Sequence, residues 1–160
     1  MKNSQFSFFW KLKHNGEIYS QWFLSPFVLE GIKFNCAEQY MMWKKAMLFG
    51  DTVQAAKILA EPKPEKHKEL GRGVQPYVDA VWVAARYDIV KAGNVAKFEQ
   101  NPELMAQLKA TKPAILVEAS PVDLVWGIGY AEDHPNASEP STWRGKNLLG
   151  KLLTEIRDES

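Results

Sequence analysis

An α+β fold, mainly helical and with a small antiparallel sheet in a single domain spanning residues 1–160, is predicted by three observations in the sequence. Aromatic-rich runs flank Asn15-Gly16 near the start, a strong local signal for a β-hairpin. Most of the chain beyond them carries apolar residues at helical spacing, punctuated by capping and breaking residues. With 46% hydrophobic residues in 160, the chain can bury a sizeable core without a metal or a disulfide.

Phe6 to Leu12 and Ile18 to Phe23 are expected as strands on either side of His14-Asn15-Gly16-Glu17. Val28 to Phe34, turning at Glu30-Gly31, adds a second short hairpin. Asn35 is a good helix N-cap and Glu38 completes a capping-box pattern, so a helix is expected from there to about Leu48. Asp51 caps a helix to about Leu59, which Pro62 and Pro64 separate from a short helical segment ending at Gly71. From Val78 to Gln100, residues such as Val81, Trp82, Ala85, Ile89 and Phe98 recur at mostly helical spacing, with Gly93 marking a possible break. Asn101-Pro102-Glu103 opens a further helix to about Ala110. Ala114 to Glu118 reads as a short buried strand, and Ser120 to Arg144 is a long irregular segment of a kind usually tied to function. Asn147 to Arg157 closes the chain as an amphipathic helix.

Composition excludes several classes of function. Twenty basic and 19 acidic residues leave a net charge of +1, so no broad attraction to nucleic acid or membranes is expected. The single cysteine, Cys36, cannot form an internal bridge, and Met1 to Trp10 lacks a signal-peptide pattern, which together predict a reducing, cytoplasmic setting. The longest apolar run, Ala80 to Ala85, is far too short to cross a bilayer. His14, His67 and His134 have no metal-ligand spacing with one another or with Cys36, so no metal is expected. Gly127-Ile128-Gly129 lacks the third glycine of a dinucleotide fingerprint and Gly145-Lys146-Asn147 lacks the remainder of a phosphate loop, so no cofactor is expected either.

What remains is a set of carboxylates, cations and tryptophans: Glu38, Lys45, Trp82, Glu118, Asp123 and Trp126, with Arg72 and Lys146 as phosphate partners. Glu38 and Lys45 lie seven residues apart, nearly two helical turns, and so share one stripe of the helix about 10 Å apart along its axis. Taken singly, Glu38 is more often a capping acid, Lys45 a solvated lysine, each tryptophan a core residue and Arg72 a surface charge. Together they have a chemical logic. Cleavage of a glycosidic C–N bond passes through a cationic, oxocarbenium-like state that Glu38 or Asp123 would stabilise. A lysine kept partly unprotonated by an apolar setting, such as Met41 and Met42 give Lys45, is able to attack a sugar aldehyde and form a Schiff base. Tryptophans offer flat faces to a heterocyclic base, and glycine-rich turns expose amides to phosphate.

The residues Glu38-Gln39-Tyr40-Met41-Met42 with Lys45-Ala46 and Phe49-Gly50-Asp51, Leu70-Gly71-Arg72, Trp82, Lys97-Phe98, Leu116 to Pro121, Asp123 with Trp126-Gly127-Ile128-Gly129, and Trp143 to Gly150 resemble the NADAR or YbiA-like family of N-glycosidases. The resemblance runs from about Leu24 to Arg157, in the same order and at compatible spacing. It implies a mainly helical α+β domain that hydrolyses N-glycosidic bonds to phosphorylated ribose without a metal. The implied partners are a small nucleotide sugar, as in the amino-pyrimidine ribose phosphates of riboflavin synthesis, or an ADP-ribosylated guanine in nucleic acid. By position, the resemblance puts the essential acid at Glu38, the Schiff-base lysine at Lys45, the pocket tryptophan at Trp82 and the acidic loop residue at Asp123 beside Trp126. Arg72 and Asn147 fall on pattern positions expected to contact phosphate or ribose, and Gly127 and Gly129 join Trp82 and Trp126 as expected substrate-binding residues. Ser25-Pro26-Phe27 stands where many members have Ser-Asn-Phe, so no side-chain amide is supplied there. A non-catalytic module that binds ADP-ribose or a nucleotide in the same pocket is the alternative reading.

Overall fold

The structure, a computed structural model, describes residues 5–11 and 14–160. Its elements are strand β1 (Phe6–Phe9), a 3-10 helix over His14–Tyr19, strands β2 (Phe27–Leu29) and β3 (Ile32–Phe34), and helices α1 (Ala37–Leu48), α2 (Thr52–Ala60), α3 (Pro64–Arg72), α4 (Asp79–Glu99) and α5 (Pro102–Ala110). Strand β4 (Ile115–Glu118), short 3-10 helices over Pro135–Ser138 and Pro140–Thr142, and helix α6 (Leu148–Asp158) complete the chain. Helices dominate and the strands are short, so the fold is the mainly helical α+β type that the sequence predicts. It divides into two compact units, one of Met1–Ser20 with Pro102–Ser160 and one of Gln21–Asn101.

In the first unit, β1 does not form the expected hairpin across Asn15-Gly16. It pairs in parallel with β4, Phe6 opposite Ile115 and Phe9 opposite Glu118, while His14–Tyr19 is a 3-10 helix. Leu12, the end of the expected first strand, lies outside the described residues. The aromatic residues that read as a local strand pair instead find distant partners. Phe6 meets the Trp143 ring edge-on at 6.1 Å, and Phe9 packs 5.4 Å from Tyr19. Leu116 and Val117 of β4 are fully buried, as are Leu152 and Leu153 of α6. The buried Arg157 guanidinium donates to the Ala114 carbonyl and, at 3.1 Å, to the Thr111 hydroxyl.

In the second unit, β2 and β3 form the predicted antiparallel hairpin, Phe27 opposite Phe34, and its two turn residues Glu30 and Gly31 hold φ of 54° and 75°. The Glu30 carboxylate ties this hairpin to α1, accepting from Lys44 at 2.8 Å and Tyr40 at 3.0 Å. Helix α1 packs against α2, α3 and α4. Its Tyr40 and Trp43 rings lie 5.1 and 5.4 Å from Phe34, and the cluster extends through Ala46, Ile58 and Trp82. Asp51 caps α2 as the sequence predicts, its carboxylate accepting from Gln54 N at 3.0 Å. Gly93 does not break α4. A Cβ there would lie 2.8 Å from Cδ2 of Tyr40, so the glycine lets α4 approach α1 at this ring. Replacing it with alanine removes a helix penalty of about 1 kcal/mol but drives a methyl into a ring wedged against Phe34, an overpacking cost of about 1–3 kcal/mol. Gly93→Ala should therefore lower the thermal midpoint; a midpoint unchanged or raised would mean that Tyr40 moves aside freely.

Candidate active site

The start of α1 is built differently from its capping-box pattern. Cys36, not Asn35, occupies the N-cap position, and it makes no side-chain capping bond. Gln39 does what the pattern assigns to Glu38: its Oε1 accepts from Asn35 N at 2.8 Å, while its Nε2 donates to the Ile58 carbonyl at the end of α2 at 3.0 Å. The side chain of Glu38 is thereby released from capping. Cys36 Sγ lies 3.7 Å from His67 Nδ1, and His67 Nε2 lies 2.5 Å from the Glu61 carbonyl. A carbonyl only accepts, so Nε2 carries the proton and Nδ1 receives the thiol hydrogen. Burial pushes the thiol up to about 12 and the imidazole below its usual range, so the pair is neutral. It joins α1 to α3 and supplies no thiolate nucleophile.

Glu38 is only 7% exposed. Its backbone N–H donates to the Gln21 carbonyl at 2.9 Å, and its carboxyl accepts from the Trp22 side chain. Burial raises its pKa to about 7 against the pull of Lys68, the Trp22 hydrogen bond, Lys45 and Arg72, in that order. Lys45 is half-buried, and its amine is lowered by burial first, raised by the Glu38 charge and lowered by Arg72. Its Nζ lies 4.9 Å from the Tyr77 ring centroid and 5.5 Å from that of Trp82. The second unit therefore gathers Glu38, Lys45, Arg72 and Trp82 from α1, α3 and α4, and adds Trp22, Lys68 and Tyr77, which sequence reasoning missed. Lys68 stands one helical turn before Arg72 on α3, a spacing from which it was recoverable. Trp22 lies in the aromatic run expected as a strand and Tyr77 in no periodic segment, and neither position signals a site. The site thus sets a carboxyl raised to about 7 beside an amine that burial lowers from its usual range.

The other sequence-selected residues belong to the first unit. Asp123 Oδ1 accepts from Val125 N at 2.9 Å and Trp126 N at 2.8 Å, closing the turn that presents Trp126. Gly127 is hemmed in, since a Cβ would meet the Glu118 carbonyl at 2.9 Å, and Gly129 holds a φ of +81°. Asn147 is buried, its Oδ1 accepting from Glu118 N at 3.0 Å and its Nδ2 donating to the Leu116 carbonyl at 3.1 Å. Its amide is thus engaged by β4. A cavity of about 270 Å³ in the second unit, lined by residues including Phe34, Asn35, Gln39 and Pro62, includes none of the candidate site residues. Among the described residues, no three His, Cys, Asp or Glu side chains are grouped to hold a metal ion, and no helix is long and apolar enough to cross a membrane.

The NADAR domain model matches residues 8–159. The chain is 45% identical over 148 residues to N-glycosidase R617 of Acanthamoeba polyphaga mimivirus, covering 89% of this chain and 87% of that one. It is 31% identical over 134 residues to N-glycosidase YbiA of Escherichia coli (strain K12), covering 84% and 75%. The NMR structure of E. coli YbiA superposes with a TM-score of 0.79 at 27% identity, covering 99% of this chain and 86% of that one. A riboflavin biosynthesis protein of Zea mays, chloroplastic PYRR, is 33% identical over 117 residues, 68% of this chain and 17% of its own length.

The buried carboxyl has a signature in stability. Between the ordinary value of 4.5 and about 7, the folded chain holds a Glu38 proton that the unfolded chain has released. The stability this contributes is complete below 4.5 and is lost as pH rises through 7. His67, lowered by burial, acts in the opposite sense, its contribution being lost as pH falls, so the difference between proteins is the useful quantity. Glu38→Gln should become progressively more stable relative to the wild type from pH 4.5 to 7 in thermal melts; a constant difference would show a carboxyl titrating in its usual range.

Proposed function

The chain belongs to the NADAR domain family and is an N-glycosyl hydrolase, and from that premise we propose that it cleaves the C–N bond between a phosphorylated ribose and an amine or base, with Glu38 as acid and base and Lys45 as nucleophile. The observation that carries the reading is the pairing on one helix of a carboxyl raised to about 7 with an amine lowered by burial. The substrate class is a small nucleotide sugar, such as an amino-pyrimidine ribose phosphate, or an ADP-ribosylated base such as guanine. Kinship with a protein named for riboflavin biosynthesis supports the first. The nearly neutral net charge of +1 favours recognition of one sugar and base over extended contact with a duplex.

In this mechanism the free amine of Lys45 attacks ribose C1 as Glu38 gives its proton to the departing nitrogen, so that the Lys45 N–C1 bond forms and the C1–base bond breaks. The resulting ammonium passes a proton to the ring oxygen, the sugar opens, and a C1 iminium remains on Lys45. The Glu38 carboxylate then takes a proton from water as its oxygen adds to C1. Expulsion of the amine releases the sugar and restores both groups. Lys68 and Arg72 supply positive charge for the sugar phosphate, and Trp82 walls the site.

Asp123 as an assisting acid, Trp126, Gly127, Gly129 and Asn147 as substrate-binding residues, and residues 1–160 as one domain form the remainder of the proposal. The chemistry draws on protein side chains alone, without metal or cofactor. The reduced thiol of Cys36 fits a cytoplasmic setting.

Glu38→Gln and Lys45→Ala should each fold normally and lose at least about 100-fold in kcat with ribosylated substrates; near-normal turnover in both would end the assignment. Mass-spectrometric assay of base release against both substrate types selects between them. Borohydride should trap ribose 5-phosphate on the wild type and leave Lys45→Ala unlabelled. Asp123→Asn keeps both backbone acceptor bonds while removing the charge, so a lost kcat would mark a chemical role and full activity would mark Asp123 as the turn's anchor alone.

A further inference from the structure

Nothing in the proposed reaction uses Tyr77, yet its ring is the nearer of the two that face the Lys45 amine, at 4.9 Å against 5.5 Å for Trp82. The ring is held from two directions. Its hydroxyl donates to Asp79 Oδ1 at the first residue of α4 at 2.8 Å, and its ring centroid lies 5.3 Å from that of Phe49, the C-cap residue after α1, the two rings tilted by 56°. Lys45 and Phe49 lie one turn apart on the same side of α1, so the ring that Phe49 supports is the ring under which the amine sits. Donation to a carboxylate leaves electron density on the phenol ring, and an aromatic face attracts a cation within about 6 Å of its centroid.

We infer that Tyr77 is a positioning residue of the glycosidase reaction: with Trp82 it forms a two-ring clamp for positive charge at the Lys45 nitrogen, and Asp79 locks it in place. The inference rests on Lys45 being the attacking group. That nitrogen is neutral when it attacks C1 and carries a full positive charge in the ammonium and iminium formed next, so the clamp binds the intermediate more tightly than the ground state and acts on kcat. It also gives Trp82 a role distinct from stacking on the departing base. The two rings differ in setting, Tyr77 being 41% exposed and Trp82 only 7%.

Two measurements test this. In the first, borohydride trapping of ribose 5-phosphate and steady-state turnover are compared for the wild type, Tyr77→Leu and Tyr77→Phe. Tyr77→Leu should slow adduct formation about tenfold and lower kcat with little change in KM, and Tyr77→Phe, which keeps the ring, should restore most of both. In the second, lysines are reductively methylated with 13C-formaldehyde and the Lys45 signal, assigned by its absence in Lys45→Arg, is titrated by NMR. Tyr77→Leu should weaken proton binding at that nitrogen about threefold, and Tyr77→Phe should stay close to the wild type. Equal trapping, equal kcat and an unmoved titration in Tyr77→Leu would overturn the clamp while leaving Lys45 in its role. If the wild type turns over without a trappable adduct, the covalent reading of Lys45 fails by itself, and the titration alone then decides whether Tyr77 holds charge there.

Discussion

Withdrawal of the Glu38 carboxyl from water is the constraint on which the site depends. Its charged and polar neighbours oppose the effect: Lys68, the Trp22 donor, Lys45 and Arg72 all favour the ionised form, and Glu38 sits in the first turn of a helix, where the backbone dipole does the same. Desolvation nevertheless wins, and the outcome is a group poised near 7. With the cations alone, the carboxyl would be a permanent anion; with burial alone, it would keep its proton throughout the physiological range. Neither extreme would suit the proposed reaction, in which one side chain gives a proton and takes one back.

That balance holds only if α1 and α3 keep their spacing, and buried polar contacts around the N-terminus of α1 maintain it. The neutral Cys36–His67 pair runs on to the Glu61 carbonyl, and Gln39 closes the end of α2 against the same turn. Lys97 of α4 is fully buried as well and lowered to about 7, its Nζ 5.2 Å from the Phe98 ring and 5.8 Å from that of Phe23. Interactions of this kind are strong when complete and costly when broken, which favours a single arrangement of the helices over a set of similar ones. The lysine on α1 and the cations on α3 are thus presented to one carboxyl at set distances.

Much of this was legible where the cause is local. The cap at Asp51, the first-turn proline Pro102, the turn at Glu30-Gly31 and the leucine stripe of α6 mark their elements within a residue or two. The common stripe of Glu38 and Lys45 follows from helical spacing alone. Features that depend on distant partners were not legible. The parallel pairing of β1 with β4 leaves no trace around Asn15-Gly16, and Gly93 reads as a helix breaker until Tyr40 is seen against it. The N-cap shifts from Asn35 to Cys36 because Asn35 is drawn to the Pro62 carbonyl at 2.9 Å. Tyr77 precedes α4 in an irregular stretch, and only tertiary structure brings its ring to Lys45.

The pairing of β1 with β4 has a consequence for how the molecule is made. During synthesis, β1 leaves the ribosome before β4, its strand neighbour among the described residues, and the whole of the Gln21–Asn101 unit is made between them. At ordinary elongation rates of 5–20 residues per second, an interval of about a hundred residues lasts roughly 5–20 s. The Gln21–Asn101 unit can complete its core in that time, while Phe6 and Phe9 wait with their backbone groups unpaired. Strand β1 is therefore open to chaperones, or to mispairing with another copy, until β4 has been made.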